Sequence, residues 1–150
     1  YREMGAAPDS AHLAETVDQY LNRDTPLWWV KVEADPIADA HSTIGGSGSL
    51  LSSKTQAPIA CLWLGTAIDQ LHGDLHTHIF LLYVAPEHRR QGIATALMRH
   101  AETFAQARGD RQIGLQVFRS NQAAVNLYQG LGFQTQSLWM VKPIDQPGRL

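Results

Sequence analysis

Only one cysteine, Cys61, occurs in the 150 residues, which excludes an internal disulfide framework and points to a reducing compartment. Charge of either sign is scarce: charged residues make up 17% and the formal net charge is -2, so the chain lacks the basic footprint of a nucleic-acid binder. The longest apolar run, Ile79 to Pro86, is far short of the ~20 residues that a membrane helix requires. No basic-then-apolar signal segment opens the chain, so a soluble, cytoplasmic protein with no membrane partner is expected. Glycine is arranged neither as G-x-G-x-x-G nor as G-x-x-x-x-G-K-[ST], which removes dinucleotide-dependent hydride transfer and P-loop hydrolysis from consideration.

What is present is an ordinary globular composition, 44% hydrophobic, at a length that supports one core and one domain. Leu13, Val17, Tyr20 and Leu21 share a helical face, and Asp9 or Ser10 is placed to cap it, predicting a helix over 9–22. Leu27 to Glu33 is rich in aromatic and branched residues and reads as a strand, its Trp28 and Trp29 serving the core or an acceptor surface. Residues 34–57 carry Pro36 and a Gly/Ser-rich stretch and read as a flexible loop, either a tether or a substrate lid. Pro58 to Ile68 and His78 to Ala85 are apolar runs of strand length around a Gly73-Asp74 turn, a buried hairpin. From Gln91 to Arg108 the period becomes helical, with Ile93, Leu97, Met98, Ala101, Phe104 and Ala105 on one face, and Gly109 ends the helix. Ile113, Leu115 and Val117 alternate as a strand, Ser120 or Asn121 caps a short helix to Leu131, and Phe133 to Ile144 reads as a last strand. The order predicts an α/β fold, a mixed sheet with helices packed on it and a parallel strand-helix-strand unit over 78–118.

In such sheets ligands gather where strand carboxyl ends meet helix amino ends, here between Val84 and Ala94. A helix start exposes unpaired N–H groups and the positive end of the dipole, and the small Gly92 and Ala94 let an anion reach them. Arg89 and Arg90 add positive charge. Read without further context, the same residues equally describe a polar surface turn before a capped helix.

Arg89-Arg90-Gln91-Gly92-Ile93-Ala94, following a V-x-P strand end, matches a [Q/R]-x-x-G-x-[G/A] signature. Asn121 to Phe133 matches N-x-x-A-x-x-L-Y-x-x-x-G-F. Together they resemble the GCN5-related N-acetyltransferase (GNAT) superfamily over residues 78 to 133, in the family's order and spacing. The resemblance implies a mixed, mostly antiparallel sheet with helices on both faces and two splayed parallel strands that form the acyl-coenzyme A cleft. It implies N-acetyl transfer from acetyl-CoA to a primary amine, of a small molecule or a peptide, by direct attack and without a metal. The pyrophosphate would lie on the backbone from Arg89 through Arg90, Gln91, Gly92, Ile93, Ala94 and Thr95. Pantetheine would bond the backbone near Leu82 and Val84, Asn121 would bond pantetheine or a phosphate, and Tyr128 would protonate the departing thiolate.

A phenol near ~10 stays neutral while a thiol leaves at ~8.5, which suits Tyr128 to that role; the alternative is a core position shared with Ala124, Leu127 and Leu131. A lysine acceptor would need a base, since removing its proton at pH 7 costs roughly 4 to 5 kcal/mol. Relatives often carry a Glu for this. Here Gln116 occupies one such strand, and His78 stands near the start of the other, six residues before Val84 on the same strand face. His78 is therefore the candidate base, directly or through water; otherwise it is one of three surface histidines with His72 and His76. A zinc site from those three lacks an acidic or Cys partner at ligand spacing. The missing carboxylate also admits a noncatalytic acyl-CoA-binding or regulatory module. Only Tyr1 to Ala7 stands where the family usually has a strand and a helix, so part of the acceptor side is expected to be absent or supplied by a short strand there. Exposed strand edges leave room for a homodimer.

Overall fold

The computed structural model describes residues 11–22, 25–32 and 57–144. Along the chain run α1 (Ala11–Tyr20), β1 (Leu27–Val30), β2 (Ala60–Ile68), β3 (Leu75–Val84), a 3-10 turn at Pro86–His88, α2 (Ile93–Arg108), β4 (Ile113–Leu115) and α3 (Gln122–Gly130). The strands form one sheet in the order β1-β2-β3-β4, with β1·β2 and β2·β3 antiparallel and β3·β4 parallel. This is the mixed α/β architecture that the pattern of runs predicts. Residues 1–10 and 33–56, which hold the expected helix cap, the short N-terminal segment and the flexible loop, lie outside the described residues apart from Ala57.

The core lies between the sheet and α2. Ala60, Leu62, Leu64 and Ile79 meet Leu97, Met98 and Ala101, with Trp28, Val30, Leu82 and Val84 packed around them. These are the apolar positions that recur at helical spacing in α2 and at alternate positions in the strands. Fully burying side chains such as Leu62, Leu64 and Met98 contributes about 1.5–3 kcal/mol each. The opposite face carries Cys61, Trp63, His78 and Phe80, and Tyr20 of α1 reaches it with its ring 5.6 Å from Phe80. Helices therefore stand on both faces of the sheet.

Two irregularities shape the site. The β2·β3 register shifts between Trp63 and Leu64: Trp63 pairs with Leu81 but Leu64 pairs with Ile79, leaving Phe80 as the extra residue of a bulge. The bulge breaks the alternation, so Leu82 and Val84 share the core face with Ile79 while His78 points to the other face with Phe80. The expectation that His78 and Val84 share a face is corrected accordingly. The second irregularity is that β3 and β4 pair only through Thr77↔Ile113, His78↔Gly114 and Ile79↔Leu115. Beyond them the parallel strands part, and no strand among the described residues pairs the β4-facing edge of 80–84.

The parting also ends β4 at Leu115, two residues before the expected Val117. Phe133 to Ile144, expected as a strand, joins no ladder among the described residues; β4 offers only three residues to pair with, and Leu138 to Val141 stand exposed. α2 begins at Ile93, not Gln91, because Gly92 takes a left-handed conformation (φ 81°) incompatible with the helix. Gly109 (φ 79°) closes α2 as expected, its amide bonding the Ala105 and Gln106 carbonyls. No helix among the described residues is long and apolar enough to cross a membrane.

Candidate functional site

The strand end is tied down before the chain turns. The Ala85 amide donates to the Ile59 carbonyl at 2.8 Å, and Ile59 in turn donates to Val30, so β1, β2 and β3 finish together. Pro86 starts the 3-10 turn, where its missing N–H costs nothing. The chain then passes through Arg90, the one non-glycine residue with positive φ (63°) among the described residues, and Gly92. Positive φ is unfavourable for a side-chain-bearing residue and gathers at ligand sites, where it turns successive N–H groups toward one point.

α2 has no side-chain cap. Its first intrahelical bond runs from the Ala96 amide to the Gly92 carbonyl, and the amides of Ile93, Ala94 and Thr95 bond no acceptor among the described residues. A Cβ built at Gly92 would meet no atom of the described residues within 4 Å, so Gly92 itself borders open space. Free donors and the positive end of the dipole make this helix start favourable to an anion. Arg89 Nε donates to the Val84 carbonyl at 3.0 Å, and Gln91 Nε2 donates to the Glu87 carbonyl at 3.4 Å, so two motif side chains brace the turn itself.

The remaining candidates fall in two places. Asn121 caps α3, its Oδ1 accepting from the Ala124 amide at 3.3 Å, a local task in which its side-chain NH₂ finds no acceptor among the described residues. Tyr128, about two turns further on, is half-buried against the core and lies 5.8 Å from the Phe133 ring. Burial raises its phenol above the ordinary range, which keeps the hydroxyl protonated. No hydrogen bond within the described residues engages that hydroxyl. His78 lies on the first rungs of the parallel ladder, in ring contact with Phe80 (5.4 Å) and His76 (6.4 Å). Burial, assisted by His76, lowers its pKa, so the ring is neutral near pH 7. The three histidines do not converge on a metal: no group of three ligating side chains occurs among the described residues.

Three features were not read from the sequence. The bulge at Phe80 is hidden because the run from Ile79 to Val84 is apolar throughout and shows no break in alternation. The left-handed Arg90 has no sequence signature. The bond from the Thr77 amide to the Asp110 carboxylate, at the ladder's first rung, joins residues 33 apart in the chain.

The sequence profile of the Acetyltransferase (GNAT) family matches residues 7–133. The chain belongs to the GNAT acetyltransferase family. It is 39% identical over 134 residues to N-acetyltransferase 8F1 of Rattus norvegicus, an alignment covering 89% of this chain and 51% of the relative. The chain thus spans about half the length of the first curated relatives it matches. Its fold is shared with the aminoglycoside 6'-N-acetyltransferase AAC(6')-IG of Acinetobacter haemolyticus, at a TM-score of 0.59 and 20% identity over 95% of this chain and 88% of that one. It is also shared with AAC(6')-Iy bound to the bisubstrate analogue CoA-S-monomethyl-acetylneamine, at a TM-score of 0.61 and 15% identity over 94% and 83%. The GNAT profile and these folds agree with the mixed α/β sheet and its parallel strand pair.

Proposed function

We propose that this GNAT chain transfers an acetyl group from acetyl-CoA to a primary amine. The observation that carries the reading is the capless start of α2 beside the parted strands β3 and β4: among the described residues the amides of Ile93, Ala94 and Thr95 have no acceptor, Gly92 borders open space, and no strand pairs the nearby edge of β3. That combination suits a ligand with a diphosphate followed by an extended, amide-bearing arm, and coenzyme A has that form. The amides of residues 90–95 hold the diphosphate, with the Arg89 and Arg90 charges nearby. The edge at Leu82 and Val84 receives the arm, and the Asn121 NH₂ adds a donor.

In the reaction the amine nitrogen bonds the thioester carbonyl carbon and the C–S bond breaks, leaving an amide and coenzyme A. The proton lost by the amine passes to His78, directly or through water, and the leaving sulfur takes one from Tyr128. A neutral imidazole and a protonated phenol are the forms that burial favours at these two residues. The fold relationship to AAC(6')-Iy in its bisubstrate complex supports an amine acceptor meeting the thioester directly. The test is thiol release from acetyl-CoA with a panel of primary amines, alongside calorimetry with coenzyme A. Binding with no release for any amine would refute transfer, and absent binding would refute the diphosphate site as well.

A further inference from the structure

We infer that the acceptor amine is carried on an aromatic body, which docks against the sheet face beside His78; this rests on the transferase reading above. The bulge places Phe80 on the same face as His78, 5.4 Å ring to ring. From Phe80 the aromatic surface continues to Trp63 at 5.1 Å and to Tyr20 of α1 at 5.6 Å. Phe80 and Tyr20 remain 37% and 44% exposed, so the rings nearest the base present free area to a ligand. The surface is built closely: a Cβ at Gly65 would lie 2.0 Å from the Phe80 ring, so glycine there is what lets the ring lie against the sheet.

Two further observations point to a ligand. Among the described residues, the buried side-chain polar atoms without a hydrogen-bond partner are Trp63 Nε1 and His76 Nδ1, and both residues belong to this face. Unmet hydrogen-bonding capacity concentrated on one face is uncommon in a finished core. Among the described residues, Asp69 stands by His76 at one end of this face, already engaged by the Leu71 amide and His72, and no other carboxylate is placed at it. Of those described, Glu15 and Asp18 project from α1 roughly 140° and 160° away from Tyr20 at 100° per residue. The others belong to the hairpin turn, the 3-10 turn, α2 and the Thr77 bond. A polycation needs carboxylates to replace its water, whereas an aromatic amine gains from stacking and from the ring quadrupole.

The test uses the full chain with acetyl-CoA and three amines: phenethylamine, propylamine and kanamycin. Phenethylamine should exceed each of the others in kcat/KM by about tenfold, the size expected from one or two aromatic contacts. Tyr20→Ala, on an exposed helix, and Phe80→Leu, which keeps an apolar side chain, should each raise KM for phenethylamine about fivefold. Both should leave KM for acetyl-CoA unchanged and should lower kcat/KM for phenethylamine more than for propylamine. Preference for kanamycin or propylamine, or equal losses for all amines in the variants, would overturn the aromatic assignment and leave transfer standing. Silence with every amine would overturn both.

Discussion

Arg89 and Val84 are joined by a bond from the guanidinium Nε to the strand's last carbonyl, at 3.0 Å. A residue of the phosphate turn is thereby braced against the strand edge where the pantetheine arm is proposed to lie. Arg89→Ala should weaken coenzyme A binding about tenfold, by loosening the turn and removing a charge. Arg89→Lys should recover little, because an ammonium cannot reproduce the planar Nε contact. Titration calorimetry of both variants checks this; equal affinity for wild type and Arg89→Ala would remove the brace from the binding account.

Gly92 separates backbone conformation from ligand room. An alanine there would meet no protein atom, so its cost to the fold is the left-handed φ alone, about 1–2 kcal/mol. The loss in coenzyme A affinity should be larger, at least about a hundredfold, since a methyl group would stand where the anion approaches the amides. Thermal unfolding and calorimetry on the same variant separate the two costs. A variant that loses stability and binds coenzyme A normally would show that the space above Gly92 is not the diphosphate site.

Much of this arrangement was legible in the sequence for physical reasons. The periodicity of Ile93, Leu97, Met98, Ala101 and Ala105 places α2 on the core, and the two apolar runs give the hairpin, because burial imposes those patterns. Gly109 marks the end of α2 because it takes a positive φ, whereas the start at Ile93 instead of Gln91, set by the positive φ of Gly92, was not read. The orientation of His78 was not legible, since a bulge inside a uniformly apolar run leaves no trace in the alternation. Nor was the fate of Phe133 to Ile144. Strand composition states what a segment tolerates, while pairing needs a partner edge, and β4 is three residues long.

Tyr128→Phe should leave coenzyme A affinity intact and lower turnover by about 10²–10⁴, the range for a general acid. The same substitution bears on pH dependence. Because burial raises the phenol above its ordinary ~10, its ionisation should not limit the rate below that value. A turnover that declines between pH 8 and 9 through a group lost in Tyr128→Phe would contradict the assignment.

His78 makes an opposite prediction at acid pH. The unfolded chain binds a proton at this side chain near ~6.5, whereas the folded chain, its imidazole buried beside His76, binds it only at lower pH. The unfolded state therefore holds more protons in that interval, and stability from this group falls as pH drops below ~6.5, the loss being complete below the folded pKa. His78→Gln should flatten the decline in urea-unfolding free energy between pH 7 and 5. If His78 is the base, the acid limb of kcat/KM should lie below ~6.5 and vanish in the same variant along with most of the rate. An unchanged limb would leave His78 structural.

The parting of the strands starts from a fixed rung, and Asp110 fixes it. Its Oδ2 accepts from the Thr77 amide at 2.7 Å and from the Thr77 hydroxyl at 2.5 Å, with Thr77 wholly buried, while Arg108 Nε lies 3.6 Å from Oδ1. Asp110→Ala would strand two donors in the interior, at about 1–3 kcal/mol each. Asp110→Asn keeps an acceptor oxygen and loses only the charge, so it should cost roughly half as much. Thr77 pairs with Ile113, one rung from His78, so the alanine variant should also loosen the site: amide exchange at 77–79 should accelerate before global unfolding. Equal stability of the Ala and Asn variants, or unchanged exchange at those amides, would show that the ladder holds its register without this carboxylate.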